Sequence, residues 1–326
     1  MQAYPIKFAP ILKEKIWGGE KLSNILNKKS DSKHVGESWE ISGVEDNISM
    51  VSNGLYKGKS LNDLIKSHKS EFLGKKNIDT FGEHFPLLIK FLDAKTNLSV
   101  QVHPDDEMAK AHHNSFGKTE MWYIMNSDED AEIVLGLKDN DLDKNVLGDI
   151  NASNVNDIFN TEQVKQGDSY FIPAGKIHAI GAGVLAAEIQ QTSDVTYRVY
   201  DWDRTDVNGN QRDLHTEAAI KATKSFPSTG KSNYQLEADK TSNLVDCEYF
   251  TTNIFEVKSN QKRDYRNLDS FVIFMCVEGS AEVTIDNVTE TVTMGETILI
   301  PANTDSVTFN SEGSKLLEVF IDKFVL

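Results

Sequence analysis

The stretch VKQGDSYFIPAGKIHAI, residues 164–180, returns further along the chain as VTMGETILIPANTDSVT, residues 292–308. Gly167 aligns with Gly295 and Pro173 with Pro301, each pair 128 residues apart. A glycine before a short apolar run and a proline after it mark the turns at the two ends of a strand. The shared Pro-Ala and the matching apolar positions read as a duplicated β framework. One difference stands out: the first copy carries His178, and the second carries Ser306 in its place.

Working outward, short strand-like runs dominate. They include LSVQVH (98–103), EMWYIM (120–125), SYFI (169–172), FVIFMCV (271–277), AEVTI (281–285), TILI (297–300) and LLEVFI (316–321). Helical spacing of Leu61, Leu64, Ile65, Phe72 and Leu73 predicts a helix with Ser60 as its cap and Gly74 as its stop. A second helix is expected over 216–224 and a shorter one after Pro104. From Asp246 onward the chain reads as strand and turn, punctuated by Gly279, Gly295 and Gly313. The fold class is therefore mainly β with a few helices, built as closed or double-sheet units. The polar run 228–243 is the candidate linker, dividing the chain into 1–240, with small helical elements, and 241–326.

The chain has 326 residues and a net charge of −16, so its surface repels nucleic acid and anionic membrane. Its longest wholly apolar run, 271–277, is far too short to cross a bilayer. Two cysteines, Cys247 and Cys276, and no leader-like N-terminal segment point to a reducing, cytoplasmic setting.

Alternation along LSVQVHPDDE puts Leu98, Val100 and Val102 on one face and Ser99, Gln101 and His103 on the other. In GKTEMWYIM, Lys118 and Glu120 share a face, and His178 stands five residues after Pro173. Two imidazoles, a carboxylate and an amide oxygen suit a borderline divalent cation with one position left for water or substrate. His112, His113 and the run 105–107 read as a solvated helix face, and 128–130 as a turn.

GDSYFIPAGKIH matches the second cupin motif. QVHPDDE, GKTEMWYI, PAGKIHAIGAGVLAAEIQQTSD and YRVYDWDR, with IWGGEKL and GESWEIS nearer the start, resemble the type I mannose-6-phosphate isomerases of the short bacterial form. The resemblance implies two cupin-like jelly-roll units, the second degenerate, the first being the catalytic one. It implies one Zn2+ per chain held by Gln101, His103, Glu120 and His178. Lys118, Glu188, Asp194 and Arg198 would line the substrate cavity, with Trp17 near its mouth. The implied reaction interconverts mannose 6-phosphate and fructose 6-phosphate through an enediol. Lys118, Glu188 and Asp194 are rival proton carriers, and Arg198, whose planar fork can bind two oxygens, is first choice for the phosphate.

Two other classes share the features. Two histidines and a carboxylate also serve non-haem iron oxygenases, although a fourth protein ligand at Gln101 leaves too few open positions. A non-catalytic sugar-binding cupin would bind the phosphosugar without turning it over. No histidine follows His215, so the second framework cannot repeat the imidazole ligation and is expected to cover an edge or face of the first.

Overall fold

The computed structural model describes residues 1–139, 142–205, 209–226 and 230–323. Two sheets build the first unit. One has six strands, in the order Ser169–Ile172, Glu120–Ser127, Val184–Gln191, Leu87–Ala94, Val35–Ile41, Ile11–Gly19. The other has five: Tyr197–Tyr200, Val100–Val102, His178–Ile180, Glu132–Leu137, Phe159–Gln163. Their inner faces share a core of Leu92, Trp122 and Ile124 from the first and Ile133, Leu135 and Ile180 from the second. Period-two alternation does the sorting: a residue facing this core has neighbours in sequence that face away.

The outer face of the five-stranded sheet carries Val100, Val102, Ala179 and Val199, covered by the helix Thr216–Ala222 through Ala219 and Ala222. The outer face of the six-stranded sheet is apolar too. Ile89, Phe91, Met121, Tyr123 and Ile189 pack against Ile254, Ile273, Met275, Leu299 and Val319 of the C-terminal unit. The C-terminal strands therefore cover a face of the six-stranded sheet.

The C-terminal sheet also recruits the start of the chain. Ile6–Ala9 pairs antiparallel with Thr297–Ile300, Ile6 opposite Leu299, and Met50–Val51 continues the sheet. The expected linker begins at residues 228 and 229, which lie outside the described residues. From Gly230 on it is tied down: the Phe171 N–H donates to the Gly230 carbonyl (2.7 Å) and the Ser232 N–H to that of Ser169 (2.8 Å). A polar segment here satisfies the backbone of an edge strand, a task that composition does not reveal.

Two other expectations change in detail. The 61–73 helix breaks at Lys69 (φ 45°) into Leu61–His68 and Ser70–Leu73, with a full Ser60/Asp63 capping box at its start. The runs 271–277 and 281–285 form one strand, Val272–Ile285: the register shifts between Cys276 and Glu278, and the chain runs on through Gly279 (φ 71°), paired opposite Ser314, without turning.

The duplicated frameworks repeat several backbone hydrogen bonds. Gly167 and Gly295 take φ of 90° and 88°, and their N–H groups donate to Ile124 and Cys276 carbonyls at 2.9 Å. The turns after the two prolines close with Lys176 N–H to Pro173 O (3.0 Å) and Thr304 N–H to Pro301 O (3.1 Å). Within the first turn Gly175 has φ 91°; Asn303 in the second has no left-handed φ. The registers also correspond. His178 lies opposite Gln101 and Ile172 opposite Glu120; in the second unit Ser306 lies opposite Asp264 and Ile300 opposite Val272. Where the first unit gathers ligands the second packs rings: Phe255, Phe274 and Phe309 meet edge to face with centroids 4.8–6.0 Å apart.

These turns give a stability prediction. A Cβ on Gly175 would sit 2.9 Å from the Ala222 carbonyl oxygen at a left-handed φ. Gly175→Ala should lower unfolding free energy by at least about 1 kcal/mol, and Asn303→Ala by less than about 1 kcal/mol. Chemical denaturation of the two variants measures the difference directly.

Candidate metal centre

Each ligand candidate arrives on a strand whose other face is core. Val100 and Val102 are fully buried on one side of their strand, leaving Gln101 and His103 on the other. Glu120 opens its strand, between Gln190 and Ile172 on the neighbouring strands. His178 follows the Gly175 turn. His103, Glu120 and His178 are each 1% exposed, and their ligand atoms lie within 4.8 Å of one another.

The histidine tautomers are fixed from behind. His103 Nδ1 bonds the Val195 carbonyl (2.9 Å) and His178 Nδ1 the Lys176 carbonyl (2.8 Å), so both Nε2 lone pairs point inward. They stand 3.4 Å and 3.3 Å from the Glu120 oxygens. The Gln101 amide nitrogen lies 3.5 Å and 3.4 Å from the same two Nε2 atoms, and a half-turn of the amide puts its oxygen there instead. Burial lowers His103 to about 3 and holds His178 below its ordinary value, so both are neutral. Burial works against ionisation of Glu120 too, but the Lys118 charge opposes it and the carboxyl is held well below its usual range.

Among the described residues neither Glu120 oxygen accepts a hydrogen bond. A buried carboxylate without donors, facing two imidazole lone pairs, is a strongly unfavourable arrangement without a cation. Lys118 Nζ, at 3.6 Å, compensates in part. The donor set of two nitrogens, a carboxylate and an amide oxygen fits a divalent metal such as zinc.

A second charged group lies on the same sheet face. Lys90 Nζ contacts Glu188 Oε1 (3.0 Å) and Gln190 Oε1 (2.7 Å), and Glu37 Oε2 is 3.9 Å away. Glu37 itself meets Lys15 at 3.1 Å. Burial pushes the Glu188 carboxyl up against the pull of Lys90. It pushes the Lys118 amine down, reinforced by the Lys90 charge. On Glu37 the two lysines overcome burial and lower the carboxyl to about 2. Sequence reasoning missed Lys90 and Glu37. The available signal was a lone charge inside an apolar run, LLIKFLDA.

With this geometry in view, comparison with known proteins is decisive. Residues 6–142 match the catalytic-domain model of type I phosphomannose isomerase, and residues 240–319 match the mannose-6-phosphate isomerase cupin domain. The chain is 36% identical over 306 residues to mannose-6-phosphate isomerase ManA of Bacillus subtilis, covering 92% of this chain and 94% of that one. The chain belongs to the type I mannose-6-phosphate isomerase family. It is an isomerase with the mainly β, cupin-type fold. The crystal structure of the mannose 6-phosphate isomerase from Bacillus subtilis superimposes with a TM-score of 0.87 at 34% identity, covering 98% of this chain and 100% of that one. A more distant mannose 6-phosphate isomerase, bound with zinc and yttrium, shares the fold: TM-score 0.78, 16% identity, covering 98% and 99% of the two chains.

The remaining candidates lie on neighbouring strands and loops. Arg198 lies opposite Gln101 on the adjacent strand, donating through Nη1 to the Asp213 carbonyl (2.8 Å). Its Nε is buried without an acceptor among the described residues, and burial and the nearby Arg212 push the guanidinium down. Arg204 and Arg212 converge on Asp201. Asp194 is exposed on the bend before that strand. Trp17 is 5% exposed and packs in the core cluster that holds Leu92 and Trp122. Asp105 caps the helix Asp106–His113, Asp106 accepts from Gly117 N, and His113 meets the Tyr197 hydroxyl at 2.8 Å, all structural tasks. Among the described residues no helix is long and apolar enough to cross a membrane.

Two predictions follow from the charges. His103→Ala and His178→Ala should each lose bound metal by elemental analysis, while Ser306→Ala keeps it, since Ser306 faces no ligand set. Glu37, depressed in the fold, contributes stability above its ordinary value of 4.5 that fades as pH falls towards 2. Glu37→Gln should therefore be less stable than the parent at pH 7, with the gap closing through that window in denaturation curves.

Proposed function

We propose that the chain interconverts mannose 6-phosphate and fructose 6-phosphate through an enediol, with one Zn2+ held by Gln101, His103, Glu120 and His178. The observation that carries this reading is the buried Glu120 carboxylate, which has no hydrogen-bond donor among the described residues and faces two inward Nε2 lone pairs. The zinc-bound relative supports the identity of the metal. When bound, zinc polarises the sugar oxygens next to the carbons that exchange the proton. Residues 1–240 would form the catalytic unit and 241–326 its structural support. Two free thiols accord with a cytoplasmic setting.

Isomerisation moves one proton between C2 and C1, so a single group near both carbons can accept and return it. Lys118 Nζ, desolvated and held beside Glu120, is our choice for that carrier. Glu188, whose carboxyl burial pushes up against the pull of Lys90, would take up and return the hydroxyl proton at the sugar oxygen. Asp194, exposed on its bend, is the third candidate. Family membership disfavours the oxygenase and the non-catalytic readings.

The phosphate needs a fixed cation against an overall charge of −16. Arg198 offers a buried Nε–H that has no acceptor among the described residues, next to the strand that carries Gln101, with Arg204 and Arg212 nearby. Trp17 would wall the sugar side of the cavity. The test is a coupled assay with mannose 6-phosphate, before and after chelation, with activity expected to vanish on chelation and return with zinc. In the same assay Arg198→Ala should lose on the order of 10- to 100-fold in kcat/KM, and Arg198→Lys less. Free mannose should be turned over weakly and equally by parent and Arg198→Ala. An equal loss on both sugars would remove the phosphate from Arg198.

A further inference from the structure

Four residues form one row across the inner face of the six-stranded sheet. Trp39 lies opposite Lys90, Lys90 opposite Glu188, and Glu188 opposite Trp122. A buried lysine–glutamate pair thus stands between two tryptophans, which are 6% and 1% exposed. Each indole N–H points at a carboxylate. Trp39 Nε1 donates to Glu37 Oε2 at 2.5 Å, and Trp122 Nε1 donates to Glu188 Oε2 at 3.2 Å. The Lys90 ammonium sits 5.3 Å from the Trp39 ring centroid. The Trp122 ring meets the His178 ring at 5.4 Å, inclined by 70°.

We propose that Trp39 and Trp122 are positioning residues: their N–H groups fix the Glu37 and Glu188 carboxylates and so hold the Lys90–Glu188 pair in register with the metal cluster. The inference rests on the role given above to Glu188. Both oxygens of Glu188 are engaged, Oε1 by Lys90 and Oε2 by Trp122, so the plane of the carboxylate is set. Glu37 is set in the same way, Oε1 by Lys15 and Oε2 by Trp39. A lysine can follow a carboxylate that rotates, because its stem has four torsions. An indole with two torsions, packed in a core, cannot follow. The tryptophans therefore define where the pair stands, and the lysine adapts.

If the two side chains only filled space, phenylalanine would serve nearly as well. The geometry predicts otherwise. Trp122→Phe and Trp39→Phe keep an aromatic ring and delete the donor. Each should lower kcat by about 10- to 100-fold, the effect of one hydrogen bond to a charged group, with KM changed by less than about threefold. Metal content by elemental analysis should stay at the parent value. Because loss of ring volume can itself disturb the core, a second arm places benzothienylalanine at position 122. Its sulfur replaces the N–H at nearly constant shape, and the same fall in kcat is expected.

Glu188→Gln separates this inference from the reading beneath it. If Glu188→Gln is crippled while Trp122→Phe, Trp39→Phe and the benzothienyl variant turn over normally, the positioning role is overturned and the role of Glu188 stands. If Glu188→Gln is as active as the parent, the role of Glu188 falls, and the positioning role falls with it. A benzothienyl variant that loses activity only in proportion to lost metal also overturns the proposal.

Discussion

Glu120 brings a full negative charge into a space with 1% exposure, and among the described residues no group donates a hydrogen bond to it. The rest of the site can be understood as the response to that one uncompensated charge. The two histidines are locked from behind so that they offer lone pairs, not protons, and cannot neutralise the carboxylate. Lys118 stands 3.6 Å off, near enough to pair with the Glu120 carboxylate and lower it, and too far to donate it a hydrogen bond. Removing a partner from a buried charge typically costs about 3–5 kcal/mol, so the chain tolerates this arrangement only where something else supplies positive charge. A strained electrostatic arrangement that persists inside a well-packed sheet is the mark of a binding site, not of a scaffold.

The second unit shows the same framework relieved of that demand. Val272 takes the register position of Glu120 and Ser306 that of His178, while Phe255, Phe274 and Phe309 fill the interior. Once the ligands are gone, nothing requires a left-handed residue in the turn after Pro301, and Asn303 is accommodated there. Gly295 and Pro301 remain, because a strand of the same length must still begin and end in the same places.

Legibility followed sequence distance. The strands Ser169–Ile172 and Thr297–Ile300 could be read to the residue, since a glycine and a proline bound each. The grouping of His103, Glu120 and His178 was legible because alternation along each strand is local. Lys90 could not: its partner Glu188 lies 98 residues away, and a lysine in an apolar run is indistinguishable from one that snorkels to solvent. The same holds for Trp122, whose acceptor is 66 residues distant and which reads as ordinary core. Glu188, Asp194, Arg198 and Trp17 entered only through resemblance to a family, because nothing local marks them. The single strand Val272–Ile285 reads as two in the sequence because Gly279 signals a turn, whereas here it stays paired within the strand.

Positional accuracy at the site also depends on what lies behind it. Along Glu120–Ser127 the residues Glu120, Trp122 and Ile124 face the inner core, and Met121, Tyr123 and Met125 face the C-terminal unit. Slipping this strand by one residue would bury Met121 where Glu120 belongs and turn Glu120 onto an apolar face. The C-terminal unit makes that slip prohibitive by burying the alternate set completely. It also recruits Ile6–Ala9, so the start of the chain is pinned to the far sheet before Val35–Ile41 delivers Glu37 and Trp39. A unit without ligands thus still sets the register in which the ligands of its neighbour must stand. That is reason enough for the chain to retain the second framework after its histidine is gone.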